Sequence, residues 1–321
     1  VEPEPAGDLD VLVVVPVQKY YCNANWLWYP KGRLETPYGA EKRITMTMNR
    51  RNKNSEPLTD EQLQVLAPSA FAGQAHDSRS NRYTFIPTID VISGLRDAGF
   101  APVFATQSSS RIAGKQFFTK HMIRFRSQSE SLTEVGDTAV ELAMTNSHDG
   151  TSVYEFSLGA FRLACLNGMM VSEGLVQSVK VRHTGNIIER VVESTRELIQ
   201  YAPTVVQAIA QWKAIQLTVV EQKFLAEGAL ALRYDENAPL AAEKLLEVRR
   251  HDDNKNDLWT VFNRIQENLL KGGQRYYRES TPGDASTQRR MKTRSIKGID
   301  QDTKLNRQLW ALTTKMADLK S

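Results

Sequence analysis

Three His-Asp pairs are the residues whose types first suggest chemistry: His76-Asp77, His148-Asp149 and His251-Asp252. Imidazole nitrogens and carboxylates together ligate divalent metals, and such a centre activates water for phosphodiester cleavage. A metal-dependent nuclease or phosphohydrolase would be built here on His76, Asp77, His148 and Asp149. The sequence does not supply further ligands at helical spacing, however. His148-Asp149-Gly150 also has the composition of a turn, in which Asp caps backbone amides and Gly accepts φ > 0. No nucleophile motif, Walker A sequence or dinucleotide-binding glycine pattern is present. The expectation is therefore no catalytic residue, no metal and no cofactor, with the four-residue metal set as the enzymatic alternative.

Charge placement suggests a different chemistry. The 321-residue chain carries 41 Lys and Arg against 37 Asp and Glu, a net charge of +4. The surplus is concentrated near the C-terminus, where residues 271–297 hold eight basic residues and two acidic ones. The same stretch contains Gly272-Gly273, Pro282-Gly283 and Tyr276-Tyr277 and reads as a flexible basic loop with two aromatic rings. Cations neutralise phosphates, and unstacked bases gain about 1–3 kcal/mol each on aromatic faces. Arg275, Arg278, Arg289, Arg290, Lys292, Arg294 and Lys297 are the candidate phosphate contacts, and Tyr276 or Tyr277 the stacking residue. A solvated loop of no specific role is the alternative.

A second basic feature is on a predicted strand. In residues 120–126, strand alternation puts Lys120, Arg124 and Arg126 on one face and His121, Ile123 and Phe125 on the other. The first face would carry a strand's backbone, unless its cations are matched by acids such as Glu141 on a neighbouring strand. The second face reads as core.

These residues must be positioned by surrounding elements. Thr59 and Gln62 stand at capping-box spacing ahead of a short helix that stops near Pro68. A second helix spans 88–98, with Gly99 as its stop. Stretches 102–107, 116–126, 138–146, 153–165 and 175–181 are rich in β-branched and aromatic residues and read as consecutive strands. Consecutive short strands favour an antiparallel sheet. From Ile187 the apolar period becomes helical. Thr218 and Glu221 form another capping box, Asn256 or Asp257 caps a helix ended by Gly272, and Leu305, Leu309, Leu312, Met316 and Leu319 stripe the last one. That stripe suits the core or another subunit. The fold class expected is α+β: an antiparallel sheet with flanking helices over 58–185, then a mostly helical region, 186–321, carrying the basic loop.

Residues 1–48 read differently, with VLVVVPV, crowded aromatics and no clean period. Lys42-Arg43 shortly before Met46 and Met48 fits a purine-rich run like a ribosome-binding site. One reading takes Met46 or Met48 as the native start, so that the atypical segment is not native; the other takes it as an ordinary strand and loop. No apolar run approaches the ~20 residues of a membrane helix. Cys22 and Cys165 cannot make a disulfide framework, and Cys165 reads as core. A cytoplasmic protein without membrane contact is expected.

Several segments, in order, carry a resemblance: AHDSRSNRYTFIPTIDVISGLRDAGF (75–100), TKHMIRFR (119–126), TNSHDGTSVYEFSLGAFRLACLNGMMV (145–171), NDLWTVFNRIQENLLKGG (256–273) and TRSIKGIDQDTKLNRQLWAL (293–312). The chain resembles, over about 58–320, the plasmid- and prophage-borne proteins grouped as domain of unknown function 932. That setting on mobile elements implies a role in DNA maintenance, recombination or defence evasion. Element order and charge placement are also similar to Rad52-like single-strand annealing proteins, an analogy from which no residue is carried over. The function expected is single-stranded nucleic-acid binding, on DNA with RNA not excluded, by a homo-oligomer that promotes annealing. Besides the metal nuclease, a protein that blocks a host defence system through its last helix is the alternative.

Overall fold

Two capping boxes and one aspartate fix where three helices begin. Thr59 accepts from the Gln62 amide while Gln62 returns a bond to the Thr59 amide, opening α1 (Asp60–Leu66). Thr218 and Glu221 do the same for α5 (Val219–Tyr234). Asp257 accepts from the Thr260 amide and opens α6 (Leu258–Lys271). Each cap satisfies amides that the helix itself leaves unpaired and is worth about 1 kcal/mol.

The computed structural model describes residues 56–79, 84–128, 134–135, 138–162, 168–170, 178–181, 187–235, 238–279 and 288–320. The atypical segment 1–48, Cys22 and Cys165 lie outside the described residues.

The fold is α+β. After α1 and α2 (Thr88–Asp97) comes an antiparallel sheet of β1 (Phe100–Gln107), β2 (His121–Ser127), β4 (Thr138–Asn146), β5 (Tyr154–Arg162) and β6 (Gly168–Met170), in that spatial order. β3 (Glu134–Val135) pairs with β4, and β7 (Val179–Val181) with β5. Helices follow: α3 (Ile187–Ile199), α4 (Ala202–Ala214), α5 and α6. A two-stranded ribbon, β8 (Arg275–Glu279) and β9 (Gln288–Lys292), then leads to α7 (Ile299–Asp318). Among the described residues no helix is long and apolar enough to cross a membrane.

Strand alternation gives the sheet two unlike faces. His121, Ile123 and Phe125 stand opposite Asn146, Met144 and Leu142, which in turn meet Phe156 and Leu158. This face is buried and, apart from His121 and Asn146, apolar, and it joins Val91, Ile92 and Leu95 of α2 in one core. The same core runs into the C-terminal helices, where Trp212, Trp259, Phe262 and Trp310 cluster, with Trp212 and Trp310 4.3 Å apart. The apolar stripe of the last helix is therefore internal at Leu305 and Leu309, while Leu319 is exposed. The other sheet face carries Arg124, Arg126, Glu141 and Glu155 and is crossed by α7, through Lys120 on Asp300 at 2.5 Å and Arg307 on Glu155 at 2.8 Å.

Candidate nucleic-acid interface

The stretch read as a flexible loop contains the β8–β9 ribbon; residues 280–287 lie outside the described residues. Sequence pattern missed it because both faces of the ribbon are exposed, so there is no apolar alternation to signal a strand. Gly272 and Gly273 are not a hinge but its root: both have positive φ, at 61° and 82°. They turn the chain out of α6 where a side chain would be strained. A Cβ on Gly272 would also lie 2.7 Å from the Arg294 backbone.

The root is tied down by hydrogen bonds. The Gly273 amide donates to the Thr293 carbonyl at 2.8 Å and the Thr293 amide to the Gln274 carbonyl at 2.9 Å. Gln274 Nε2 donates to Asn268 Oδ1 at 2.7 Å, and Arg249 to the Gly272 carbonyl at 2.5 Å. Arg233 donates to the carbonyls of Leu269 and Arg294. Below it, Glu267 receives Arg250 and Lys271. Burial pushes the Glu267 carboxyl up, but those two cations outweigh it and hold it below the usual range.

Register fixes what each ribbon face presents. Arg275 faces Lys292 and Tyr277 faces Arg290 on one side; Tyr276 faces Met291 and Arg278 faces Arg289 on the other. Five cations thus occupy two strands of about 17 Å each. Arg275, Arg278, Arg289, Arg290 and Lys292 are exposed, as are Arg294 and Lys297 in the segment that follows. None of the seven forms an ion pair among the described residues. Tyr277 is 67% exposed. Like charges directly opposite each other destabilise a strand pair, so Arg278–Arg289 and Arg275–Lys292 weaken the bare ribbon.

The strand cations have a different fate. Lys120, Arg124 and Arg126 do share a face, but each is engaged within the molecule. Lys120 is on Asp300, and Arg124 and Arg126 are on Glu141 at 3.4 and 2.5 Å. Arg124 is 6% exposed and Glu141 2%. The Arg124 guanidinium lies 4.2 Å from the Phe104 ring and 4.0 Å from the Phe161 ring. The alternative of matching acids, Glu141 among them, describes this face correctly, and the three residues do not form an open phosphate path.

The metal set is not assembled either. Asp77 is exposed, and His76 Nδ1 pairs with Ser78 Oγ at 2.8 Å while its ring meets Phe118 edge-on. Asp149 does turn work, accepting from the Thr151 amide at 3.1 Å and hydroxyl at 2.6 Å, with Gly150 at φ 75° and Lys115 at 3.3 Å. Burial pushes its carboxyl up, and the Thr151 bonds and further partners more than reverse this. Among the described residues no three His, Cys, Asp or Glu side chains gather as a metal site.

His148 belongs instead to a buried node that the sequence did not reveal. Thr88 Oγ1, at the start of α2, lies 3.1 Å from His121 Nε2, 3.0 Å from His148 Nε2 and 3.1 Å from Tyr154 Oη, and accepts from Asn146 Nδ2 at 3.3 Å. Ser69 Oγ is 3.0 Å from His121 Nδ1, and Tyr154 Oη donates to the Ile86 carbonyl at 3.1 Å. A hydroxyl has one proton and two lone pairs. With Asn146 donating, at most one histidine can donate to Thr88, whose own proton goes to the other histidine or to Tyr154 Oη. Burial first, and the neighbouring His148 second, push His121 down to about 3. This node is structural: its nitrogens converge on a hydroxyl, not on an open site.

The family described as "Domain of unknown function (DUF932)" matches residues 75–310. The chain belongs to this family. The UPF0380 protein YafZ of Escherichia coli (strain K12) is 38% identical over 281 residues, which is 87% of this chain and 96% of that protein. The UPF0380 protein YfjQ of the same organism is 38% identical over the same shares. No solved structure matches the chain. The stretch matched by the family contains the buried node except Ser69, the Arg124–Glu141 cluster and both strands of the ribbon, and leaves out α1 and the end of α7.

Proposed function

We propose that this protein binds single-stranded nucleic acid along the β8–β9 ribbon. The observation that carries the reading is the ribbon itself: five exposed cations on a tethered two-stranded element, two pairs of them directly opposed across the strands, none of them in an ion pair among the described side chains. A phosphate chain laid along either face relieves that repulsion. Tyr277 offers an open ring between Arg275 on its own strand and Arg290 opposite. That is the arrangement in which a base stacks while its flanking phosphates meet cations. The exposed Tyr favours an unstacked strand over a duplex, whose bases are already stacked. The cations are read by charge alone, which makes binding tolerant of sequence.

A single ribbon holds a single strand. Annealing therefore requires at least two copies, and it extends this proposal only for an assembled form, which light scattering of the protein with and without oligonucleotide detects.

The direct test replaces Arg289 and Arg290 together by Ser. Both are exposed, so the fold is unaffected and circular dichroism is unchanged. Binding of a fluorescent single-stranded oligonucleotide, followed by anisotropy, is expected to weaken at least tenfold at low salt. The reading is overturned if the variant and the wild type bind alike, or if the wild type leaves the oligonucleotide free. Tighter binding of a duplex of equal length would overturn the single-strand preference.

A further inference from the structure

At the ribbon's exit, residues 295–298 run along the rim of a cavity of about 250 Å³ before α7 begins. Its walls are apolar: Phe104, Met122 and Phe161 from the sheet, Leu270 from α6, and Ile296 and Ile299. Its polar side is built from Arg124 and Asp302, and Lys271 and Lys297 stand among its lining residues. The volume is just below the ~300–1,000 Å³ of drug-sized pockets, which scales it to one ring system.

The polar groups are fixed in place. The Arg124 guanidinium is held between the Phe104 and Phe161 rings and by Glu141, which fixes its place in the cavity's lining. Asp302 accepts from Asn306 Nδ2 at 3.2 Å. Burial raises its carboxyl to about 6, with Asn306 and then Arg124 pulling the other way, so it is mainly ionised at neutral pH and accepts hydrogen bonds. Arg124 and Asp302 thus belong to one small cavity with otherwise largely apolar walls. Lys297 is exposed and forms no ion pair among the described residues, whereas Lys271 is shared with Glu267 at 2.7 Å.

We propose that this cavity takes a single nucleotide, its base against Arg124 and Asp302 and its phosphate on Lys297. A nucleobase is flat and apolar on its faces and carries donors and acceptors on its edge, which is the complement of these walls and this pair. The proposal rests on the ribbon reading in one respect: Lys297 continues the ribbon's line of cations, so a strand held on β8–β9 would place a terminal or unstacked nucleotide here. The cavity would then anchor a strand end that the ribbon holds only by charge.

The test titrates the full chain by calorimetry with adenosine 5′-monophosphate, guanosine 5′-monophosphate, ribose 5-phosphate and inorganic phosphate. At least one nucleoside monophosphate is expected to bind about tenfold more tightly than ribose 5-phosphate. Asp302→Asn keeps the shape and should weaken that binding about tenfold. Lys297→Gln, on the open rim, should weaken the monophosphate and leave the free nucleoside unchanged. The proposal is overturned if ribose 5-phosphate or phosphate binds as well as the nucleotides, if no nucleotide binds at millimolar concentration, or if both variants bind as wild type does. The Arg289→Ser, Arg290→Ser variant separates the two readings. Retained mononucleotide binding with lost oligonucleotide binding supports both. Oligonucleotide binding without any mononucleotide binding removes the cavity alone, and mononucleotide binding without oligonucleotide binding in the wild type removes the ribbon alone.

Discussion

Replacing Thr88 by Val removes one hydroxyl and almost no volume, yet the node predicts a large effect. Four polar atoms surround that oxygen: His121 Nε2, His148 Nε2, Tyr154 Oη and Asn146 Nδ2. Tyr154 keeps the Ile86 carbonyl, so the burden falls on the two imidazoles and the amide. A buried polar group deprived of a partner costs about 1–3 kcal/mol. Three such groups at the low end give about 3 kcal/mol, a large share of the 5–15 kcal/mol typical of a folded protein. Thr88→Ser keeps the oxygen and loses a buried methyl, which costs about 1 kcal/mol. Urea unfolding followed by the fluorescence of the Trp212, Trp259 and Trp310 cluster reads both. The valine variant should unfold at clearly lower urea with the same slope, and the serine variant close to wild type. A valine variant within about 1 kcal/mol of wild type, or a serine variant as weak as valine, would refute the node's role.

Acid should act through two opposed groups. An unfolded imidazole near 6.5 takes a proton between pH 7 and pH 5, whereas His121, held near 3, does not, so stability falls with pH by about 2 kcal/mol over that window. Asp302, raised to about 6, protonates first in the folded state and restores stability over the same window. Asp302→Asn should therefore show a steeper acid loss in denaturant midpoint than wild type, and parallel pH curves would contradict this. Glu141→Gln leaves Arg124 and Arg126 without their buried carboxylate and should cost about 3 kcal/mol in thermal or urea unfolding; a neutral effect would mean the cluster is solvated. Gly272→Ala forces a side chain into a left-handed turn against the Arg294 backbone and should cost about 2 kcal/mol, with faster amide exchange across β8 and β9. Exchange unchanged in the ribbon would show that the root does not hold it.

What was legible in the sequence follows from how local each signal is. The capping boxes at Thr59 and Thr218 and the Asp257 cap act over three residues, and each helix starts where they stand. Strand β4 matches its apolar run because one face is core. The alternation of β2 is also as read, with His121, Ile123 and Phe125 inward. For its cations, Glu141 on the next strand was legible as an alternative partner, but Asp300, 180 positions from Lys120, was not. Thr88 and His148 meet across 60 positions, and nothing local marks either as polar core. Asp302 and Arg124 come to one cavity only because α7 crosses the sheet. The ribbon was hidden for the opposite reason. Its signal is local, but a strand exposed on both faces has the composition of a loop.

The most direct measurement is the salt dependence of single-strand binding, by anisotropy of a labelled oligonucleotide. Neutralising about five phosphates, one for each ribbon cation, gives a log–log slope of roughly −3.5 and a loss of about a hundredfold between ~50 and ~200 mM salt. In the Arg289→Ser, Arg290→Ser variant the slope should flatten to roughly −2. A slope near zero, or the same slope in both proteins, would contradict the account, because phosphate would then not be meeting the ribbon.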